Sequence, residues 1–275
     1  MLEQYDRLRQ RGVDVGLTIG PWTHLQTGTQ GAATVMTEAL DWLGEHLAGD
    51  GGRRRPSPVR ITVTGAGEWR DLESWPPQTR DRVLHLQPGG GLAEDPPPSA
   101  AGPTTFAYDP ADPTPAVGGQ VVNPAISGRR DNRRLERRAD VVTFTSAPLT
   151  EPLDVLGTPV AEIVHETDNP WADLFVRLCD VGRGGRSVNV SDGFRRLGPD
   201  DANRTVEVQL DALAHRFLAG HRLRLQVSGG AHPRWARNLG TGQPPATGTD
   251  LAPSVRTICH GVGGASRLRL PCAEG

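Results

Sequence analysis

Lysine is missing from this sequence; all 30 of its basic residues are arginine. No amine is therefore available for a lysine Schiff base, a lysine general base or a lysine phosphate anchor. Aromatic residues are scarce too, with 2 Tyr and 5 Phe, so the 6 Trp must supply much of the large-side-chain packing. The 3 cysteines, Cys179, Cys259 and Cys272, form no C-x-x-C pair, which argues against a disulfide framework and against a zinc site. With a formal net charge of -2, no basic excess points to nucleic acid or to an anionic membrane. No run approaches the roughly 18 apolar residues of a membrane helix. The opening MLEQYDRLRQRG lacks the apolar stretch of a signal peptide. The expectation is a soluble, cytoplasmic protein whose oligomeric state the sequence leaves open.

What is abundant is turn-forming residues, 34 Gly and 24 Pro in 275 positions, which favour short elements. The first fifty residues read differently from the rest. Leu2, Tyr5 and Leu8 recur at helical spacing and Gly12 follows as a stop. VDVGLTIG (13–20) reads as a buried strand. ATVMTEALDWLGEHL (33–47) reads as a helix with Val35, Ala39, Trp42, Leu43 and Leu47 on one face, ended by Gly49, Gly51 and Gly52. Helix, strand, loop, helix is the order of the last units of an open α/β sheet. GDGGRRRPSP (49–58) has linker composition. Beyond it VRITVTG, RVLHLQ, DVVTFTS, VAEIVHE, LFVRLCDV, RTVEVQLD, HRLRLQVSG and SRLRLPC alternate apolar and polar residues, the pattern of antiparallel strands with one wet face. Many such strands with long connections predict a jelly-roll β-sandwich. Residues 88–134, rich in Pro and Gly, are expected to run as a long surface loop.

The sharpest local feature is IGPWTH (19–24). A strand ending at Gly20-Pro21 delivers His24 to the loop beyond its carboxyl end, the edge where α/β folds gather catalytic groups. A histidine there can act as general base toward a serine hydroxyl. Gly20-Pro21-Trp22-Thr23-His24 resembles the catalytic-histidine segment of the cocaine-esterase-like α/β-hydrolases, which include X-prolyl dipeptidyl peptidases, α-amino-acid ester hydrolases and glutaryl acylases. Further resemblances follow in order: Gly67-Glu68-Trp69-Arg70 with Trp75-Pro76; Tyr108-Asp109-Pro110-Ala111-Asp112-Pro113-Thr114-Pro115 with Gly118-Gly119; Thr150-Glu151-Pro152-Leu153 with Gly157; Ser191-Asp192-Gly193; Gly220-His221-Arg222-Leu223; and Asn238 with Thr241-Gly242.

The resemblance implies a mostly β chain. Residues 1–50 would be the terminal helix-strand-helix of an α/β-hydrolase domain. Residues 57–275 would be an X-Pro dipeptidyl-peptidase C-terminal-type, galactose-binding-like jelly roll. It implies acyl-enzyme hydrolysis of small ester, amide or X-Pro peptide substrates with His24 as base and with no metal or organic cofactor. The family's serine sits in an upstream G-x-S-x-G elbow, and this sequence contains no such elbow. Ser228 and Ser266, beside glycines, imitate it poorly. The triad acid also lies upstream in the family; Asp6 and Asp14 are candidates by type alone. The expectation is a chain inactive by itself, either truncated or one half of a split enzyme. The alternative is a ligand- or carbohydrate-binding module. Elsewhere the bland readings are preferred: Gly220-His221-Arg222 as a turn with surface charges, His215, His232 and His260 as solvated or structural, Asp109 and Asp112 as turn caps, Trp69, Trp75, Trp171 and Trp235 as packing, and Arg129 to Arg138 as a solvated face.

Overall fold

The computed structural model describes residues 1–47, 55–201, 204–261 and 264–273. Helix α1 (Leu2–Gln10) buries Tyr5 and stops as expected. Gly12 takes a positive φ of 72° and donates to the Arg9 carbonyl, while Val13 donates to Leu8. Strand β1 (Leu17–Ile19), the short α2 (His24–Thr27) and α3 (Ala32–Leu47) follow. The glycines expected to end α3, and most of the linker, lie outside the described residues.

Strand β2 (Val59–Val63) pairs parallel with β1 and antiparallel with β3 (Glu68–Leu72). VRITVTG, read as a sandwich strand, thus completes a β-α-β unit instead. Its alternate residues Val59, Ile61 and Val63 are fully buried, as period two requires. Periodicity says that one face is covered but not which sheet the strand joins.

The remaining strands are β4 (Thr79–Gln87), β5 (Gly91–Ala93), β6 (Thr104–Tyr108), β7 (Val141–Ser146), β8 (Leu153–Gly157), β9 (Val160–Thr167), β10 (Ala172–Val181), β11 (Ser187–Leu197), β12 (Arg204–Gln209), β13 (Leu213–Phe217), β14 (Arg222–Ser228), β15 (Ser254–Ile258) and β16 (Arg267–Ala273). They form a hydrogen-bonded path β11-β10-β14-β7-β5-β4-β16-β9-β15-β6, with β12 on β9 and β8 between β13 and β16. Pairing is antiparallel except between β5 and β7. Leu174, Val176, Phe144 and Leu225 from one end of the path share a core with Ile163, Leu84, Ile258 and Leu268 from the other. The sheet therefore closes on itself as a β-sandwich.

Two expectations fail here. Residues 88–134 hold β5 and β6, so the expected surface loop is only its irregular part beyond Tyr108, and that part is anchored: Thr114, Ser127 and Asn132 are buried while Val122 is exposed. That segment covers the outer face of β10, whose ten residues are all buried. The predicted apolar face of α3 also stays outside: Val35, Leu43 and Leu47 are 41%, 49% and 77% exposed. Of that face Trp42, which crowds Gly16, is the member that leans on the small sheet, together with Glu38. The Glu38 carboxylate accepts from Thr18 at 3.0 Å and pairs with Arg55 and Arg60.

Candidate functional site

His24 sits at the first position of α2, just beyond the carboxyl end of β1, and its side chain is exposed. The loop that carries it is tightly specified. The Trp22 ring lies against Gly20 and Gly31; a Cβ on either would come within 2.2 or 2.6 Å of it. It also meets Trp69, 5.9 Å away between ring centres. The Gly-Pro-Trp spelling is thus explained by close packing of an indole on bare backbone. Thr23 caps α2 in a reciprocal box with Gln26, whose side-chain oxygen accepts the Thr23 N–H at 2.9 Å.

A second element reaches the same loop from the sandwich. Gly119 and Gly128 exchange backbone hydrogen bonds of 2.8 and 2.9 Å, closing a strap over β10 and β11. A Cβ on Gly128 would touch the Thr23 methyl at 3.4 Å, so the strap abuts the residue before His24. Beneath it lies a buried ion network. Arg177 donates to Asp192 at 3.0 Å, to the Asn132 side-chain oxygen at 2.8 Å and to the Val117 carbonyl. Arg234 pairs with the other oxygen of Asp192. Asn189 accepts the Arg130 N–H at 2.7 Å and donates to Gly128 at 3.1 Å. Gly118 and Gly119 have φ of 69° and 85°, and a Cβ on Gly119 would strike Asp192 and Arg234. Burial, and then the neighbouring Asp192, push the Asp211 carboxyl above its ordinary range.

The other sequence candidates are not assembled with His24. Asp6 accepts from Gln10 on α1, and Asp14 lies before β1 and faces His46 at 3.3 Å. Ser228 and Ser266 are buried, donating to Gly230 and Cys259 carbonyls at 3.0 and 2.8 Å. Asp109 caps its turn through the Ala111 N–H, as expected. His221 is not a free surface charge: its Nδ1 lies 2.8 Å from Asp180, whose other oxygen faces the buried His215. His215 in turn meets the Thr64 hydroxyl at 2.8 Å, tying the sandwich to the small sheet. Burial raises the Asp180 carboxyl, but hydrogen bonds from His215 and His221 outweigh it and hold it below its ordinary range. Trp171 and Trp235 remain more than one-third exposed and are not core. For a metal, Asp14, Glu45 and His46 bring ligand atoms within 4.8 Å of one another on the surface, with His46 already engaged by Asp14 and the Trp42 carbonyl. The Arg177 network was missed in the sequence, although an arginine amid the apolar run LFVRLCDV was a visible signal.

The comparisons with known proteins bear on the family and the fold. The profile of the X-Pro dipeptidyl-peptidase C-terminal non-catalytic domain matches residues 52–269. A cocaine esterase of Rhodococcus sp. (strain MB1 Bresler) is 30% identical, over 94% of this chain and 51% of its own length. The structure of an alpha-amino acid ester hydrolase superposes with a TM-score of 0.86 at 25% identity, covering 99% of this chain and 52% of that one. An aminopeptidase from a marine-sediment Thaumarchaeota archaeon has the same fold, with a TM-score of 0.87 at 23% identity over 98% of this chain and 52% of that one. The chain spans about half the length of the curated relatives it matches. It belongs to the family of the X-Pro dipeptidyl-peptidase C-terminal non-catalytic domain, as found in cocaine-esterase-like hydrolases.

Proposed function

We propose that this chain is the histidine-bearing half of a serine hydrolase for ester or amide bonds, comprising a terminal α/β piece (residues 1–50) and a jelly-roll domain (57–275) whose first strands, β2 and β3, extend the sheet of the α/β piece. His24 is the general base for a serine carried on a separate α/β unit. The observation that carries the reading is the placement of His24: exposed, at the carboxyl end of a parallel strand, on a loop fixed by Trp22, the Thr23 cap and the glycine strap. Two open surfaces beside it support the reading. Among the described residues β1 pairs on one edge only. Met36, Leu40, Leu43 and Leu47, spaced as one stripe of α3, are all exposed. A strand edge and an apolar helix face are what an α/β sheet would cover.

In the assembled enzyme the serine oxygen attacks the substrate carbonyl while His24 takes its proton. His24 then returns the proton to the leaving group, and water, activated the same way, releases the acyl group. The relatives are named as a cocaine esterase, an alpha-amino acid ester hydrolase and an aminopeptidase, so ester and amide carbonyls are the substrate class. The test is complementation. The chain alone is assayed on p-nitrophenyl acetate, then together with the serine-bearing half of the Rhodococcus relative. We expect turnover only in the mixture, falling by about 10⁴-fold or more with His24→Ala. Turnover in the mixture that survives His24→Ala refutes the role of His24; turnover by the chain alone refutes the division of labour.

A further inference from the structure

The sandwich also holds a charge that nothing in the reaction uses. Arg256, on β15, is fully buried, yet neither Nη1 nor Nη2 has a hydrogen-bond partner. Its Nε donates to Ser254 at 2.9 Å, and among the described residues no carboxylate lies within salt-bridge distance. The acid that acts on it most strongly, Asp173, already accepts from Arg196 at 2.9 Å and Asn238 at 2.9 Å.

The strand register gathers more unpartnered groups around it. Tyr108 on β6 pairs with Ser254, and His165 on β9 pairs with Ile258, so both are diagonal neighbours of Arg256 on the same inward face. The guanidinium lies 5.8 Å from the centre of the Tyr108 ring. The Tyr108 hydroxyl and both ring nitrogens of His165 are buried without partners. His165 is neutral there, because burial and then Arg256 push its pKa down to about 4. The cluster therefore offers a surplus of N–H and O–H donors around one guanidinium that, among the described residues, has no ion-pair partner. Leaving buried donors and an unpaired charge unsatisfied is costly, and an anion answers both at once.

We propose that the inward face of β6, β15 and β9 binds a small monoanion of the chloride kind, held by the Arg256 guanidinium with the Tyr108 hydroxyl and the His165 ring beside it. The site is remote in sequence from the His24 loop and is independent of the hydrolase reading.

The test uses the full chain and bromide as the probe. Thermal melts are compared in sodium gluconate and in sodium bromide at constant ionic strength, and crystals grown in bromide are examined at the bromine absorption edge. We expect a saturable rise in Tm of about 2–4 °C at bromide well above its dissociation constant. We expect an anomalous peak within hydrogen-bond reach of Arg256 Nη1 or Nη2. Arg256→Met should abolish the Tm response, and Tyr108→Phe, which keeps the ring, should raise the half-saturating bromide concentration. If Arg256→Met does not fold, the anomalous peak in the unmodified chain decides. Equal melts in the two salts with only ordered water at Arg256, or a bromide response undiminished in Arg256→Met, would overturn the proposal.

Discussion

Asp192→Asn should be among the most damaging conservative changes in this protein. Asp192 is 3% exposed and is the shared counter-ion of Arg177 and Arg234, whose side chains are 1% and 10% exposed. The amide keeps the shape but removes the charge, leaving the Arg177 guanidinium buried without its ion-pair partner and Arg234 with Asp211 alone, 3.6 Å away. Breaking one partner out of a buried pair costs about 3–5 kcal/mol. For a domain of this size each kcal/mol lowers Tm by about 2–4 °C, so a fall of roughly 10 °C is expected by circular dichroism. Because Gly119 lies on Asp192 and Gly128 on Thr23, hydrogen exchange should quicken around residues 117–130 and 20–27 before it does in the core strands. The double variant Asp192→Asn/Arg177→Met, which removes the opposing charge, should lose clearly less than the sum of the two single losses. A single-variant loss below about 1 kcal/mol, or strict additivity in the cycle, would show that the network does not bear on the strap.

Other expectations follow from burial and exposure. Leu40→Glu with Leu43→Glu should leave the melting of the chain within about 0.5 kcal/mol, since both sites are exposed, yet abolish complementation by the serine-bearing half. Unchanged complementation would remove α3 from the proposed docking face. Burial pushes the Cys179 thiol up to about 12 and the Cys272 thiol to about 11, so the native chain should react with Ellman's reagent only after unfolding; fast labelling of Cys179 would contradict its placement. His165 should make the fold acid-sensitive. Its folded pKa, about 4, lies below the ordinary 6.5, so the stability it supports is complete above about pH 6.5 and is lost as pH falls toward 4. Fully developed, that loss is on the order of 3 kcal/mol. His165→Gln should flatten the denaturant midpoint between pH 6.5 and 4.5, and an unchanged slope there would refute the assignment.

How much of this was legible in the sequence depends on what each signal encodes. Gly12 ended α1 because its left-handed φ is a local requirement, readable locally. The strand-to-His24 turn was legible for the same reason: Gly20 and Trp22 are two residues apart and explain each other. Strands such as β9 and β16 alternated and were found where the alternation lay. What failed were inferences about partners at long range. Val59–Val63 alternates correctly but pairs with β1, some forty residues upstream. The apolar stripe of α3 promised burial, yet Val35, Leu43 and Leu47 of it are exposed and only Trp42 leans on the small sheet. Arg177 and Arg256 are both buried arginines on strands, and only the fold shows that one has an acid beneath the strap while the other, among the described residues, has no ion-pair partner.

The contrast between those two arginines explains why the sandwich tolerates buried charge at all. A hydrophobic side chain in place of Arg177 could fill the volume, and buried pairs are weak sources of stability. It could not, however, serve the Val117 carbonyl and the Asn132 side chain together with Asp192. The segment those groups belong to runs irregularly from Asp109 toward Arg134 and has little ladder of its own to fix it. A forked donor with a shared counter-ion gives such a segment a defined position, at the cost of desolvation. That position matters because its far end, Gly128, rests on Thr23. A general base must be held to within a fraction of an ångström of its partner to be effective. If His24 is that base, then Arg177 and Asp192 are positioning residues acting from the non-catalytic domain. In the complemented enzyme, Arg177→Met should then lower kcat more than it raises KM, whereas a purely structural loss would scale with the fraction unfolded and vanish below the melting range.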